Sequence, residues 1–303
     1  MPTAMRFIFL ILLMSMAAFT VHAKEFKIAV IKSDAALPYD EVMAGFKSEL
    51  QRDDIIFSFL DGSNNRSQLA ERVAAIQPAI ILCLGARALD SISDIHHIPK
   101  VYCLVTLSKT YTYANRKNIY GVTIDISPVM QFKLIKKMSP NAKQIGVIYD
   151  PDHNWKLIEN MKMSASAAGM KLIAEPVNSI KEIPAALHNL IGNVDYLWSI
   201  YDQMVYGPET AKYILLYSLR KNIPLIGFSP QFARAGALVS FYGDYKDMGR
   251  QAAIITTKIL DGEEPAFNRI EPRKIRIAIN EKVAKSLGIS FPDQFLRMVD
   301  KTF

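Results

Sequence analysis

Cysteines, blocks of one charge and catalytic signatures are all scarce in this chain of 303 residues. There are two cysteines, Cys83 and Cys103, too few for a disulfide framework. Both sit in apolar runs, 79–84 and 101–105. They read either as a pair bridging neighbouring strands, which an oxidising compartment would permit, or as two inert buried thiols. No Gly-x-Ser-x-Gly elbow, Walker loop or glycine-rich dinucleotide fingerprint occurs, so catalysis and cofactor binding of those kinds have no support, and no catalytic residue or cofactor is expected. His96 and His97 are adjacent and would point in different directions from a helix; His153 and His188 lie far off, so metal-ligand spacing is missing and no metal is expected. The formal charge of +7 and pI near 9.2 are spread thinly. The densest basic cluster, Arg273, Lys274 and Arg276, reads as a solvated face, and nothing looks like a helix-turn-helix or zinc finger, so no nucleic acid partner is expected.

What is present is a globular composition, 50% hydrophobic and 21% charged, with enough chain for two domains. Residues 1–23 look like a signal peptide: Met5-Arg6, an apolar core from Phe7 to Phe19, then Val21 and Ala23 where a signal peptidase reads small side chains. An uncleaved anchor is the alternative, although the core is short for a membrane span. Cleavage near Ala23 implies a periplasmic or secreted protein, and no cysteine stands there to carry a lipid.

Beyond that point strands and helices alternate. Strands are expected at 26–31, 55–60, 79–84, 100–106 and 120–124, with helices at 39–50, 67–76 and from Ala86. The cycle lapses between 107 and 119 and then repeats. The second round has a helix at 128–138, strands at 144–149, 170–176 and 195–200, and helices at 155–168, 180–191 and 208–221. A βαβα cycle laid down twice predicts two doubly wound parallel sheets. Residues 223–260 organise the rest. A buried strand closes at Gly227 and Ser229-Pro230, a second strand runs from Ala237 to Tyr242, and a long helix follows Asp244, placed as its N-cap. On that helix Met248, Ala252, Ile255 and Ile259 share one face. The segment therefore passes between two packing environments, its strands in the second sheet and its helix back on the first. A last strand at 275–279 and a helix at 281–287 close the chain.

Gly227-Phe228-Ser229-Pro230, Gly236-Ala237-Leu238, Asp244-Tyr245 and Gly249-Arg250-Gln251-Ala252-Ala253, with Ser33-Asp34, Pro38-Tyr39 and Gly45-Phe46 nearer the start, resemble the substrate-binding proteins of ABC transporters, some of which handle tryptophan or tyrosine. The resemblance covers nearly the whole chain after the signal. It implies a type I periplasmic-binding-protein fold, an α/β protein of two lobes joined by three crossovers. Lobe one would comprise 24–122 plus about 244–262, and lobe two 123–243; the place of 263–303 stays open.

In open parallel sheets ligands bind beyond the carboxyl ends of the strands. That rule selects the loops at 33–39, 61–62, 85–87 and 106–108 in lobe one, and at 150–154, 201–203 and 229–231 in lobe two. The ligand-binding candidates there are Ser33, Asp34, Tyr39, Gly85, Ala86, Thr106, Asp152, Tyr201, Asp202, Gln203 and Ser229, with Tyr242 on the neighbouring strand. By the resemblance, Gly85 would let backbone amides approach a ligand carboxylate; a plain strand-to-helix turn is the alternative. Tyr39 would stack on a ligand ring or staple its helix. Asp202 would accept an ammonium group or cap a helix, and Asp152 reads mainly as a cap beside Trp155. Tyr201, Gln203 and Tyr206 suggest an aromatic-lined pocket. The expected function is that of an exported, monomeric, non-enzymatic protein. It captures a small molecule, by resemblance an amino acid and an aromatic one, and delivers it to an inner-membrane ABC permease. A ligand sensor coupled to a membrane signalling receptor is the alternative.

Overall fold

A computed structural model describes residues 25–50, 55–60, 66–113 and 116–303; the signal-peptide reading and the 61–62 loop lie outside the described residues. The first sheet has the order β11-β5-β4-β3-β1-β2, from β1 (Lys27–Lys32), β2 (Ile55–Leu60), β3 (Ile80–Leu84), β4 (Lys100–Val105), β5 (Ile119–Thr123) and the short β11 (Arg269–Ile270). All its pairings are parallel. The β-branched and aliphatic residues of its central strands β1, β3, β4 and β5 are buried on both faces, as a sheet covered by helices on both sides requires. One face packs on α1 (Leu37–Glu49) through Val42 and Phe46; the other packs on α2 (Arg66–Ile76) and α3 (Ala86–Ser91) through Leu69, Val73, Ala88 and Leu89.

The second sheet has the order β13-β12-β10-β9-β8-β6-β7. Its strands are β6 (Gln144–Tyr149), β7 (Lys171–Pro176), β8 (Tyr196–Trp198), β9 (Leu225–Gly227), β10 (Val239–Gly243), β12 (Ile275–Ile279) and β13 (Lys301–Thr302). Only the β10–β12 pair is antiparallel. Between β4 and β5 lies α4 (Leu107–Thr110). The second sheet carries α5 (Pro128–Met138), α6 (Pro151–Ala167), α7 (Ile183–Leu190), α8 (Ala211–Arg220) and α9 (Pro230–Ala235). The last α-helices are α10 (Tyr245–Leu260), α11 (Glu281–Ser286) and α12 (Asp293–Leu296). Two parallel-dominated sheets with helices on their faces are the expected fold class. The chain passes between them three times: after β5, between β10 and α10, and between β11 and β12.

The second passage is made by residues 243–245. Asp244 Oδ1 accepts the Asp247 amide at 2.9 Å and so caps α10. The helix then lies against α1 with backbone nearly touching backbone. A Cβ on Gly249 would stand 2.0 Å from the Val42 carbonyl oxygen, and one on Gly45 would stand 1.8 Å from that of Lys246. Two glycines far apart in sequence thus bring two helices together more closely than any other residue type would allow.

Several expectations are corrected. The lapse at 107–119 holds α4 and a 3-10 turn, Tyr111–Tyr113. The loop expected at 150–154 is the first turn of α6, with Asp150, not Asp152, as its cap: Asp150 Oδ1 accepts the Asp152 amide at 2.9 Å. Pro151 at the first helical position is compatible with that start because its missing N–H would be unpaired there in any case. Of the two readings of the cysteines, that of two free buried thiols holds. Cys103 is in register with Leu84, not Cys83, so the two thiols fall on opposite faces of the sheet; burial pushes both up to about 12.

The basic trio does more than face solvent. Asp247 is 1% exposed and takes Arg273 at 2.8 Å and Arg250 at 3.0 Å, with Lys274 at 3.9 Å. Arg276 joins Asp244 at 2.7 Å and Asp300 at 2.5 Å. Burial alone would raise the Asp247 pKa, yet the Arg273 and Arg250 hydrogen bonds hold it below the ordinary value. The second and third passages are thereby fastened to each other, since Arg273 and Lys274 follow β11 and Asp247 opens α10. Asp244 N also donates to Lys274 O at 2.9 Å.

Candidate functional site

Each sheet reverses its strand order at one point, between β1 and β3 in the first and between β6 and β8 in the second. Loops leaving the two strands at such a point diverge and open a crevice. In the first sheet that crevice is bounded by Ser33 and Gly85. Ser33 Oγ accepts the Ala88 amide at 2.9 Å, and the Arg87 guanidinium donates to the Ser33 carbonyl. Gly85 has φ +89, and a Cβ there would meet Ser33 Oγ at 2.5 Å and the Tyr39 hydroxyl at 3.0 Å. Ser33, Tyr39 and Gly85 are therefore one cluster, with Ala86 opening α3 beside it. The Gly85 amide is already used, donating to Cys103 O at 2.8 Å. Burial and the neighbouring Asp34 charge raise the Tyr39 pKa against the opposing effect of Arg87. Asp34 itself is exposed and accepts the Ala35 amide at 2.6 Å.

In the second sheet the reversal point is tied by Asp202. Its Oδ2 accepts the Asp150 amide at 2.7 Å and Asn154 Nδ2 at 2.9 Å; its Oδ1 accepts the Met204 and Val205 amides at 3.1 and 3.0 Å. Those four bonds fill the acceptor sites of a carboxylate. Asp202 braces the loop and offers a ligand ammonium no vacant oxygen. Asp152, Gln203 and Trp155 are exposed. Ser229 caps α9, and Thr106 caps α4.

The aromatic candidates do converge. Tyr201 Oη donates to the Phe228 carbonyl at 2.9 Å, and the two rings lie 4.2 Å apart. Phe232 stacks beyond Phe228 at 4.3 Å, and Tyr206 meets both edge-on at 6.3 Å. The Tyr201 side chain also lies near that of Tyr245 on α10, whose ring lies 5.9 Å from Tyr242. A tyrosine from the second sheet thus approaches the helix that packs on the first. Burial raises Tyr201 well above the ordinary phenol value and Tyr242 to about 12.

One residue missed in the sequence lies at the centre of this region. A narrow cavity of about 20 Å³ is lined by Asp125 with Tyr201, Phe228, Ser199, Gln131 and Phe241 among others. It sits at the carboxyl ends of β5, β8 and β9. Asp125 belongs to the first passage between the sheets and is buried. Its Oδ2 accepts the Leu107 amide at 2.5 Å, and no cation pairs with it among the described residues. Burial raises its pKa to about 6, with the Leu107 amide and the more distant Arg269 opposing. Its place just after the strand Ile119–Thr123 was the available signal.

Two sheets, three passages and an aromatic cavity at the strand ends accompany a family match: the pattern of the ABC transporter substrate binding protein family matches residues 39–303. The chain belongs to that family. The substrate-binding protein shares 24% identity over 177 residues with a "Tyrosine-binding protein" of Clostridioides difficile, covering 57% of this chain. It spans about half, 50%, of that relative's length. A Streptococcus pneumonia domain crystallised with L-Trp superposes with TM-score 0.69 at 20% identity, over 92% of this chain and 100% of that one. A ligand-free, open substrate-binding protein from Clostridium difficile superposes with TM-score 0.73 at 20% identity, over 91% and 98%. At that identity these structures establish the shared fold. Members of this family bind ligands and are in general not enzymes. Among the described residues, no helix is long and apolar enough to cross a membrane, and no group of His, Cys, Asp and Glu is arranged to hold a metal ion.

Proposed function

We propose that this substrate-binding protein captures an amino acid between its two lobes, with Asp125 accepting the ligand ammonium and the Tyr201–Phe228 pair receiving its side chain. The observation that carries the reading is the buried, unpaired carboxylate of Asp125 on the wall of an aromatic cavity. A buried anion costs free energy unless a cation meets it. An ammonium group supplies that cation and donates charge-assisted hydrogen bonds as well. The flat rings of Tyr201 and Phe228 favour an aromatic side chain, which stacks on them. The names of the relatives, one tyrosine-binding and one holding L-Trp, point the same way.

On this reading, residues 24–122 with about 244–262 move against 123–243 as the ligand draws the lobes together, and binding favours the closed form. Ser33, Tyr39 and Gly85 would close from the first lobe, and Tyr242 and Tyr245 lie at the junction. The closed protein, exported after cleavage near Ala23 and acting as a monomer, would present its ligand to an inner-membrane permease. A thermal-shift screen of amino acids on refolded, ligand-free protein tests this. A ligand at a hundred times its dissociation constant adds about 2.7 kcal/mol. Tryptophan, tyrosine or phenylalanine should raise the unfolding temperature in the wild type and not in Asp125→Asn. A shift from the corresponding ammonium-free acids equal to that from the amino acids would overturn the role of Asp125.

A further inference from the structure

At the other end of the first sheet, where β4 and β5 begin, a second pocket is lined by Ser93, His96, Lys100, Arg116, Lys117, Asn118 and Ile119. We infer that this pocket binds a phosphate group, either free phosphate or the phosphate of an anionic lipid headgroup. Three side chains of permanent or usual positive charge and one imidazole converge there, and no carboxylate lines it. Asp94 is close in sequence, but it takes the Ser93 hydroxyl at 3.4 Å and is not part of the lining.

Lys100 is the residue that needs a partner. It is only 2% exposed, and among the described residues it forms no ion pair. Its ammonium donates to the carbonyl oxygens of Ile95 and of Ile98, the latter at 3.2 Å. That uses two of its three N–H donors. Burial lowers its pKa, and the Arg116 charge lowers it further against the effect of Cys83. A buried cation beside a second cation is unfavourable unless an anion joins them. Arg116 is held in place by a hydrogen bond to Ser93 O at 3.1 Å and lies 5.5 Å from the centre of the Tyr113 ring. Its planar fork suits a phosphate oxygen pair. Backbone geometry fixes the floor, since Lys100 N donates to Asn118 O at 2.9 Å and Asn118 adopts φ +60. The pocket lies at the amino ends of the strands, away from the aromatic cavity at their carboxyl ends, so it does not depend on the amino-acid reading.

The experiment titrates inorganic phosphate calorimetrically into wild-type protein, Lys100→Met and the exposed double variant Arg116→Ala/Lys117→Ala, at constant ionic strength because screening alone weakens surface charge. Sedimentation with vesicles of phosphatidylglycerol, against phosphatidylcholine, forms the second arm. Saturable phosphate binding, about tenfold weaker in the double variant, identifies a soluble anion. Binding to phosphatidylglycerol vesicles alone, lost in the double variant, identifies the headgroup. No saturable binding of either probe, or binding unchanged in the double variant, overturns the inference. The double variant decides the matter even if Lys100→Met does not fold. Asp125→Asn should leave phosphate binding unchanged, which separates failure here from failure at the cavity.

Discussion

Asp125 and Asp247 are both buried aspartates at points where the chain passes between lobes, yet the protein treats them in opposite ways. Asp247 is surrounded by Arg250, Arg273 and Lys274, and its pKa is held below the ordinary value. Asp125 has a backbone amide and a distant arginine, and its pKa stands at about 6. The first charge is neutralised within the fold and fastens the second and third passages to each other. The second is left undercompensated on a cavity wall. The difference separates a structural carboxylate from one suited to meet a cation from outside.

Replacing each aspartate should break this contrast in opposite directions. Asp247→Ala leaves two guanidinium groups facing a void, and should cost about 3 kcal/mol of stability in urea unfolding while leaving affinity for added amino acid nearly unchanged. A loss below about 0.5 kcal/mol would mean that solvent already satisfies those arginines. Asp125→Asn should do the reverse, lowering amino-acid affinity by about 2–3 kcal/mol in calorimetry with stability at pH 8 unchanged or improved. Equal destabilisation by the two variants would end the comparison.

The pH dependence sharpens it at smaller magnitude. Asp125 has a folded pKa raised above its unfolded value, so the folded state binds the extra proton more tightly between about pH 4 and pH 6. Its contribution to stability is therefore present below pH 4 and lost as pH rises through 6. The ligand prefers the ionised carboxylate, so amino-acid affinity should fall about tenfold per pH unit below 6, read by titration at pH 5, 6 and 7. Asp247 works the other way: its stabilisation is present above the unfolded value and is lost only as pH falls through its depressed folded value. The smallest effect belongs to Tyr201→Phe. It removes the hydroxyl bonded to Phe228 O but keeps the ring, and should cost about 1 kcal/mol of stability, measured by thermal unfolding. An unchanged unfolding temperature would show that this bond adds nothing to stability.

The sequence by itself determined the element order. Strands at 55–60, 144–149 and 275–279 and the helix at 128–138 have the expected bounds, because hydrophobic period and turn residues act over a few positions at a time. The same local logic placed Asp244 as a cap, while the Gly45 and Gly249 motifs were named through the family resemblance. Tertiary structure decided which groups meet. It set α10 against α1 at a backbone separation that explains those two glycines, and it put Cys83 and Cys103 on opposite faces through a one-residue offset. It also gave the acceptor sites of Asp202 to the loop around it, and turned Arg273, Lys274 and Arg276 toward acids from α10 and its cap. Asp125 illustrates the reason: its burial and its neighbours Leu107, Tyr201 and Phe228 come from segments up to a hundred residues away. Whether a carboxylate is satisfied or waiting depends on what surrounds it in space, and short-range pattern carries no record of that.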